Sequence, residues 1–214
     1  MYVDDVNTKV RKSGLATPAR KRTYHHGNLR QALIQSGLEL IAEQGARALT
    51  LRELGKRAGV SRMAPYRHFR DRATLLDAIR EAGFELFADA LEHARLAAGS
   101  DFTSRMQALA VAYVRFAREN PAYFEVMFSP SGTSGESSRS QAGERAFEAL
   151  HGTIREGQAS GEVRAGNSLL LASAAWASVH GISTLELERQ FSKEMAPEKF
   201  VEACSGIVVS GLRL

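Results

Sequence analysis

The side chains with the clearest chemical purpose lie between Thr50 and Arg72, in the run TLRELGKRAGVSRMAPYRHFRDR. Arg62, Tyr66, Arg67, His68 and Arg72 bring guanidinium, phenol and imidazole donors into one short stretch, with the thioether of Met63 among them. Guanidinium forks match the O6 and N7 acceptors of guanine, and they hold phosphate oxygens as hydroxyl groups do. The chemistry this set suits is recognition of nucleic acid. Other reactive patterns fall short. His25 and His26 lack cysteine or carboxylate partners at metal-ligand spacing. Glu148 and His151 form a Glu-x-x-His pair of the kind that binds iron in helical bundles, but that site needs a second such pair and two further glutamates. The Ser- and Gly-rich run 129–143 has neither Gly-x-Ser-x-Gly nor a Gly-Lys-Ser/Thr ending. The sequence therefore predicts no metal, no cofactor and no catalytic residue: the chain is not expected to be an enzyme.

Two short helices must hold the donors in place. The Thr50 hydroxyl can cap a helix, Glu53 at the third helical position can return to the Thr50 amide, and Leu49 and Leu54 stand at staple spacing around them. This predicts a helix over 51–57. Gly59 ends it, because glycine takes the left-handed conformation without steric cost, and Ser61 caps a second helix expected over 62–69. Pro65 is tolerable there, since it falls in the first turn where few amides have intrahelical partners. Two short helices around a Gly-containing turn form a helix-turn-helix, whose second helix enters the DNA major groove. Leu51, Leu54, Ala58, Val60 and Phe69 can pack between the helices, leaving Arg62, Met63, Tyr66, Arg67 and His68 facing outward. Upstream, Asn28 caps an amphipathic helix that carries Leu33, Gly37, Leu40 and Ile41 and should end at Gly45.

Charge agrees with that reading. The formal net charge is +4, but residues 1–72 hold 15 Lys and Arg against 6 Asp and Glu, whereas the remainder holds 13 against 18. A basic N-terminal part on a mildly acidic body is the electrostatic footprint of phosphate binding. Residues 1–27, with Lys9, Arg11, Lys12, Arg20, Lys21 and Arg22 and no apolar periodicity, read as a flexible basic arm that either follows DNA or only solubilises the chain. No run of 18 apolar residues occurs, so no membrane span is expected, and the N-terminus lacks the apolar core of a signal peptide. The single Cys204 suits a reducing cytoplasm.

Beyond residue 72 the pattern is helical throughout. Asp71 caps a long connector carrying Leu75, Leu76, Ile79, Phe84, Leu86, Phe87 and Leu91. A break at 97–100 leads to a periodic segment over 102–119 with Met106, Leu109, Tyr113 and Phe116, which Asn120-Pro121 stops. The aromatic stretch AYFEVMFSP follows at 122–130 and suits either a core or a pocket. Further helices are expected over 144–158, 167–188 and from Pro197 to about Leu214. The expected fold is all-α: a basic arm (1–27), a three-helix DNA-binding head (28–72), and a connector with a C-terminal helical bundle (73–214).

The run YHHGNLRQALIQSGLELIAEQGARALTLRELGKRAGVSRMAPYRHFRDRATLLDAI, Tyr24 to Ile79, closely resembles the N-terminal domain of TetR-type transcriptional regulators. The resemblance covers about a quarter of the chain and includes, in order, the Gly45 helix end, the Thr50 to Glu53 start, the Ala58-Gly59-Val60-Ser61 turn and the Tyr66-Arg67-His68-Phe69 ending. It implies a homodimer on a near-palindromic double-stranded operator, with a divergent body that binds a small-molecule effector. Thr50, Tyr66 and Arg72 fall where such proteins touch phosphate; Arg62, Met63 and Arg67 fall where they read bases. A ligand cavity inside the bundle makes Tyr113, Phe116, Phe124, Met127 and Phe128 pocket candidates. Trp176 and His180, in W-A-S-V-H-G, resemble a signature of one branch of the C-terminal domain and would line or border the cavity. The last two helices would form the dimer interface. The implied function is a repressor released by a largely apolar ligand, with an activator or ligand-independent regulator of the same fold as the alternative.

Overall fold

Short polar side chains set where the body helices begin. In the computed structural model, Asp71 Oδ1 accepts from the Thr74 amide at 2.8 Å, Asp101 Oδ2 from the Ser104 amide at 2.7 Å, Ser140 Oγ from the Gly143 amide at 3.1 Å and Asn167 Oδ1 from the Leu170 amide at 3.1 Å. Each satisfies an amide that has no intrahelical partner. The structure describes residues 29–129, 140–191 and 197–213. The expected arm, His25, His26, the Asn28 cap and 130–139 of the Ser/Gly-rich run lie outside the described residues.

Eight α-helices and no strand occur among the described residues: α1 Leu29–Gln44, α2 Leu51–Arg57, α3 Arg72–Ala97, α4 Phe102–Glu119, α5 Pro121–Phe128, α6 Gln141–Ser160, α7 Ser168–Leu187 and α8 Pro197–Leu212. Two 3-10 turns, Ala46–Ala48 and Pro65–Arg67, flank α2. The 26-residue α3 is about 39 Å long and packs on α1, α4, α5 and α6, so one rigid element reaches from the head into the body. α7 packs on α4, α6 and α8.

The apolar residues sort into two main cores. The head core gathers Leu33, Ile34, Leu38, Leu40 and Ile41 from α1, Leu49, Leu51 and Leu54 around α2, Phe69, and Leu75, Ala78 and Ile79 from α3. The body core gathers Phe87 and Leu91 of α3, Met106, Tyr113 and Phe116 of α4, Phe124 and Met127 of α5, Phe147 and Ile154 of α6, and Leu171 and Ala172 of α7. Val126 of α5 belongs to the head core although its neighbours belong to the body core.

One expectation changes. The segment expected as a helix over 62–69 is a turn through Arg62–Ala64 followed by the 3-10 turn Pro65–Arg67. Its amides reach back three residues, Ala64 to the Ser61 carbonyl at 3.0 Å and Arg67 to Ala64 at 3.2 Å. Pro65 has no amide to give, which favours this tighter winding over a regular helix. In addition, α7 is long and apolar enough by length and composition to cross a membrane. Ala, Ser and Gly interspersed with Leu keep it free of charge until Glu186, so it meets that test without any long run of large apolar residues.

Candidate nucleic-acid interface and interior site

The turn between α2 and the recognition segment is built as the sequence dictates. Thr50 Oγ1 accepts from the Glu53 amide at 3.1 Å, which leaves its own proton for an outside acceptor. At the other end of α2, the Val60 amide reaches the Gly55 carbonyl at 3.0 Å and the Gly59 amide reaches Lys56 at 3.2 Å. This paired closure needs a left-handed residue, and Gly59 supplies it with φ 66°. Arg57 ties α2 to α1 through Glu43 and through Glu39 at 3.6 Å.

With the scaffold fixed, Arg62, Arg67 and His68 are exposed, Tyr66 is 45% exposed and Met63 is 62% exposed. Thr50 is also exposed. These are the side chains expected to face outward, while Pro65 and Phe69 are buried. Arg72 is used differently. Its Nε donates to the Leu49 carbonyl at 3.0 Å and its Nη2 to the Ala46 carbonyl at 2.7 Å. The guanidinium expected on phosphate here fastens α3 to the 3-10 turn that leads into α2. Arg30, not singled out from the sequence, stands 5.6 Å above the Phe69 ring.

All seven interior candidates are brought into one aromatic cluster. The Tyr113 phenol lies 2.9 Å from His180 Nδ1. Tyr113 packs edge-on against Trp176 at 5.2 Å, Phe124 stacks on His180 at 5.4 Å, and Phe128 meets His180 at 4.6 Å. Phe116 reaches the cluster through Phe87 at 4.9 Å, and Met127 packs where Gly83 leaves room. Burial pushes the Tyr113 pKa well up and the His180 pKa down, so both groups are held uncharged.

The cluster is packed ring against ring. The cavity it borders, between α4, α7 and α8, measures about 40 Å³, and of the seven candidates only Tyr113 and Trp176 line it. Sequence reasoning left out Phe87, which joins Tyr113, Phe116 and Trp176, as well as Phe84 against Phe128 and Phe147 against Trp176. Their helical spacing marked them only as stripe residues.

Ser168, His151 and Glu148 also come together. Ser168 Oγ is 3.0 Å from His151 Nε2, and Glu148 Oε2 is 3.5 Å from His151 Nδ1. The order is that of a nucleophile, a base and an orienting carboxylate, yet Glu148 is taken by Arg155 and stands too far to fix the imidazole tautomer. The set joins α6 to α7. Among the described residues no three His, Cys, Asp or Glu converge as metal ligands.

A helix-turn-helix head with exposed arginines, carried by an all-helical body, defines a DNA-binding transcription regulator rather than an enzyme. Residues 33–79 match the family described as bacterial regulatory proteins, tetR family, and residues 106–205 match the tetracyclin repressor-like C-terminal domain. The chain belongs to the TetR family. It is 45% identical over 53 residues to the tetracycline repressor protein class C of Escherichia coli, a match spanning 25% of this chain and 24% of that protein. The likeness to that repressor thus extends over only about a quarter of its length. A protein of unknown function from Rhodococcus sp. RHA1 is 35% identical, with a TM-score of 0.81 over 91% of this chain and 100% of its own. The fold is also that of the TetR family transcriptional regulator PfmR from Thermus thermophilus, with a TM-score of 0.62, 22% identity and coverage of 85% and 99%.

Proposed function

We propose that this protein is a homodimeric, cytoplasmic repressor that a small, largely apolar ligand releases from a near-palindromic operator. Residues 28–72 are its DNA-binding head, residues 1–27 a basic arm, and residues 73–214 the connector and the ligand-binding and dimerisation body. Two heads about 34–36 Å apart reach successive major grooves on one side of the duplex. Arg62 and Arg67 read guanine edges and Met63 packs between them, while Thr50, Tyr66 and His68 contact the backbone. Arg72 supports these contacts by holding the turn before α2.

The dimer reading draws on α7 and α8. Leu170, Ala174, Ala177, Gly181 and Leu185 follow one stripe of α7, and Leu170 is 68% exposed. Ala203, Ile207 and Gly211 follow one stripe of α8, and Ile207 is 73% exposed. Small residues alternating with large apolar ones let helices approach closely, and a self-complementary face of this kind suits a two-fold axis.

The observation that carries the ligand reading is the double membership of α5. Val126 and Ala122 pack into the head core, Phe124, Met127 and Phe128 pack into the aromatic cluster, and Tyr123 touches both. Arg80 Nε of the connector holds the Val126 carbonyl at 3.3 Å. A ligand that parts the aromatic cluster must move α5, and moving α5 disturbs the floor of the head. The ligand shifts the equilibrium only as far as it prefers the released conformation.

Selection of bound duplexes from random DNA tests this reading. A palindromic winner whose affinity falls steeply with salt is expected. On that duplex, Tyr66→Ala and Arg67→Ala should each weaken binding by about 1 kcal/mol or more. Unchanged affinity in both variants would remove the assigned face, and a monomer in sedimentation at binding concentrations would remove the dimer.

A further inference from the structure

The interior offers an unusual balance of polar groups. Among the described residues the buried polar side chains are Thr153, Ser183 and Ser205, and none of them is charged. Among the described residues no ionised side chain lines the cavity between α4, α7 and α8. Its serine hydroxyls are engaged on their own helices, Ser178 on the Ala174 carbonyl at 2.9 Å and Ser205 on Glu202 at 2.9 Å. A carboxylate or ammonium brought here would lose its hydration and find no opposite charge.

A donor, by contrast, is left over. The Tyr113 phenol and His180 Nδ1, 2.9 Å apart, satisfy each other. Among the described residues neither His180 Nε2 nor the indole Nε1 of Trp176 has a hydrogen-bond partner, and Trp176 lines the cavity. The wider groove on α3 and α6, about 740 Å³, does not compete for a charged ligand. Its Arg95, Arg145 and Arg155 are matched by Glu92, Asp89 and Glu148.

We propose that the effector is an uncharged molecule with an apolar body and a hydrogen-bond acceptor, such as a ketone or ester carbonyl, received by the indole N–H of Trp176, which lines the cavity. This rests on the ligand-released repressor described above. It separates the effector from fatty-acid-like anions and from cationic amphiphiles, which need a buried counter-charge.

The test uses the full chain with its selected operator and a matched phenylalkyl series of graded chain length, ending in a methyl ketone, a carboxylate, a primary amine or plain hydrocarbon. Trp176 is the single tryptophan, so its emission reports binding directly. The best ketone should bind at least about tenfold more tightly than its carboxylate and amine counterparts. Carboxylates or amines that bind as well, or ketones that fail at every chain length, would overturn the proposal. A ketone that binds with this selectivity yet leaves the operator complex intact upholds the ligand class and refutes release. Trp176→Phe keeps a ring and removes the N–H. Followed by calorimetry, it should weaken the ketone about fivefold to tenfold and leave the hydrocarbon unchanged. Equal losses for both would show that the indole only packs, and would refute its role as donor.

Discussion

Phe87 offers the sharpest test of how the body is held together. Its side chain is 0% exposed, and its ring meets Tyr113 at 4.8 Å, Phe116 at 4.9 Å and Trp176 at 5.9 Å. Phe87→Ala removes the hub of three ring contacts and leaves a void that helices on three sides prevent from collapsing. Core substitutions of this kind cost about 3–5 kcal/mol. At roughly 2–4 °C per kcal/mol for a chain of this size, the melting temperature should fall by roughly 6–20 °C. Calorimetry at fixed protein concentration measures it, since the proposed dimerisation would make the midpoint concentration-dependent. Trp176 emission should change in the folded variant, because the ring beside the indole is gone. Phe87→Leu, which keeps much of the apolar volume, should lose clearly less. A fall below about 3 °C for Phe87→Ala, equivalent to about 1 kcal/mol, would refute the account of a close-packed aromatic core.

Arg72→Lys cannot reach both the Leu49 and Ala46 carbonyls, so stability should drop by about 1 kcal/mol and operator affinity with it. The slope of affinity against salt should stay the same; a slope lower by about one would return Arg72 to the phosphate contacts. For Asp71, the Thr74 amide and hydroxyl, then Arg70, hold the carboxyl down at about 2 against an ordinary 3.8. A depressed carboxylate stabilises above its ordinary pKa and loses that contribution as pH falls through the folded value, so it fades between about pH 4 and 2. Thermal melts across that window should show the wild type losing stability faster than Asp71→Asn, and parallel curves would contradict the cap. A Cβ on Gly83 would lie 2.8 Å from Met127 Sδ and 2.9 Å from Tyr123 Cδ1. Gly83→Val should therefore push α5 from α3, cost about 1–3 kcal/mol in stability, and weaken operator binding without any ligand. Full operator affinity in a folded Gly83→Val protein would disconnect α5 from the head.

Much of the head was legible because local chemistry decides it. Thr50, Glu53 and Gly59 fix both ends of α2, and the helix runs Leu51–Arg57 as those residues require. The connector start at Asp71 and the stop at Asn120-Pro121 are equally local. The recognition segment was less legible, since Pro65 is compatible with a first helical turn and with a 3-10 turn, and only packing against α2 separates them. Arg72 escaped for a related reason. Its carbonyl partners lie at Ala46 and Leu49, far back in the chain, and nothing in the sequence says that a guanidinium beside exposed arginines will bond to them. In the body, the resemblance named aromatic side chains that pack together, yet their types could not tell a pocket from a filled core. That depends on how Phe87 and Phe147 fill the space between helices, a matter of three-dimensional fit.

The packed rings also bound what the proposed effector has to achieve. On the proposed reading, parting them separates Phe124 and Phe128 from His180, Phe128 from Phe84, and Phe124 from Tyr113. At about 0.5–1.5 kcal/mol per ring pair beyond the buried area, these four contacts alone resist opening by several kcal/mol. Inverting a head equilibrium from 1:99 to 99:1 requires a further preference of about 5.5 kcal/mol for the released form. A ligand that merely fills a 40 Å³ space cannot supply this, since that space has room for only a few waters. It must replace the ring contacts it breaks with apolar surface of its own, and on the proposal its carbonyl meets the Trp176 indole N–H. Because Val126 sits on the same short helix as Phe124 and Phe128, the work of opening is delivered to the floor of the DNA-binding head and not lost within the body.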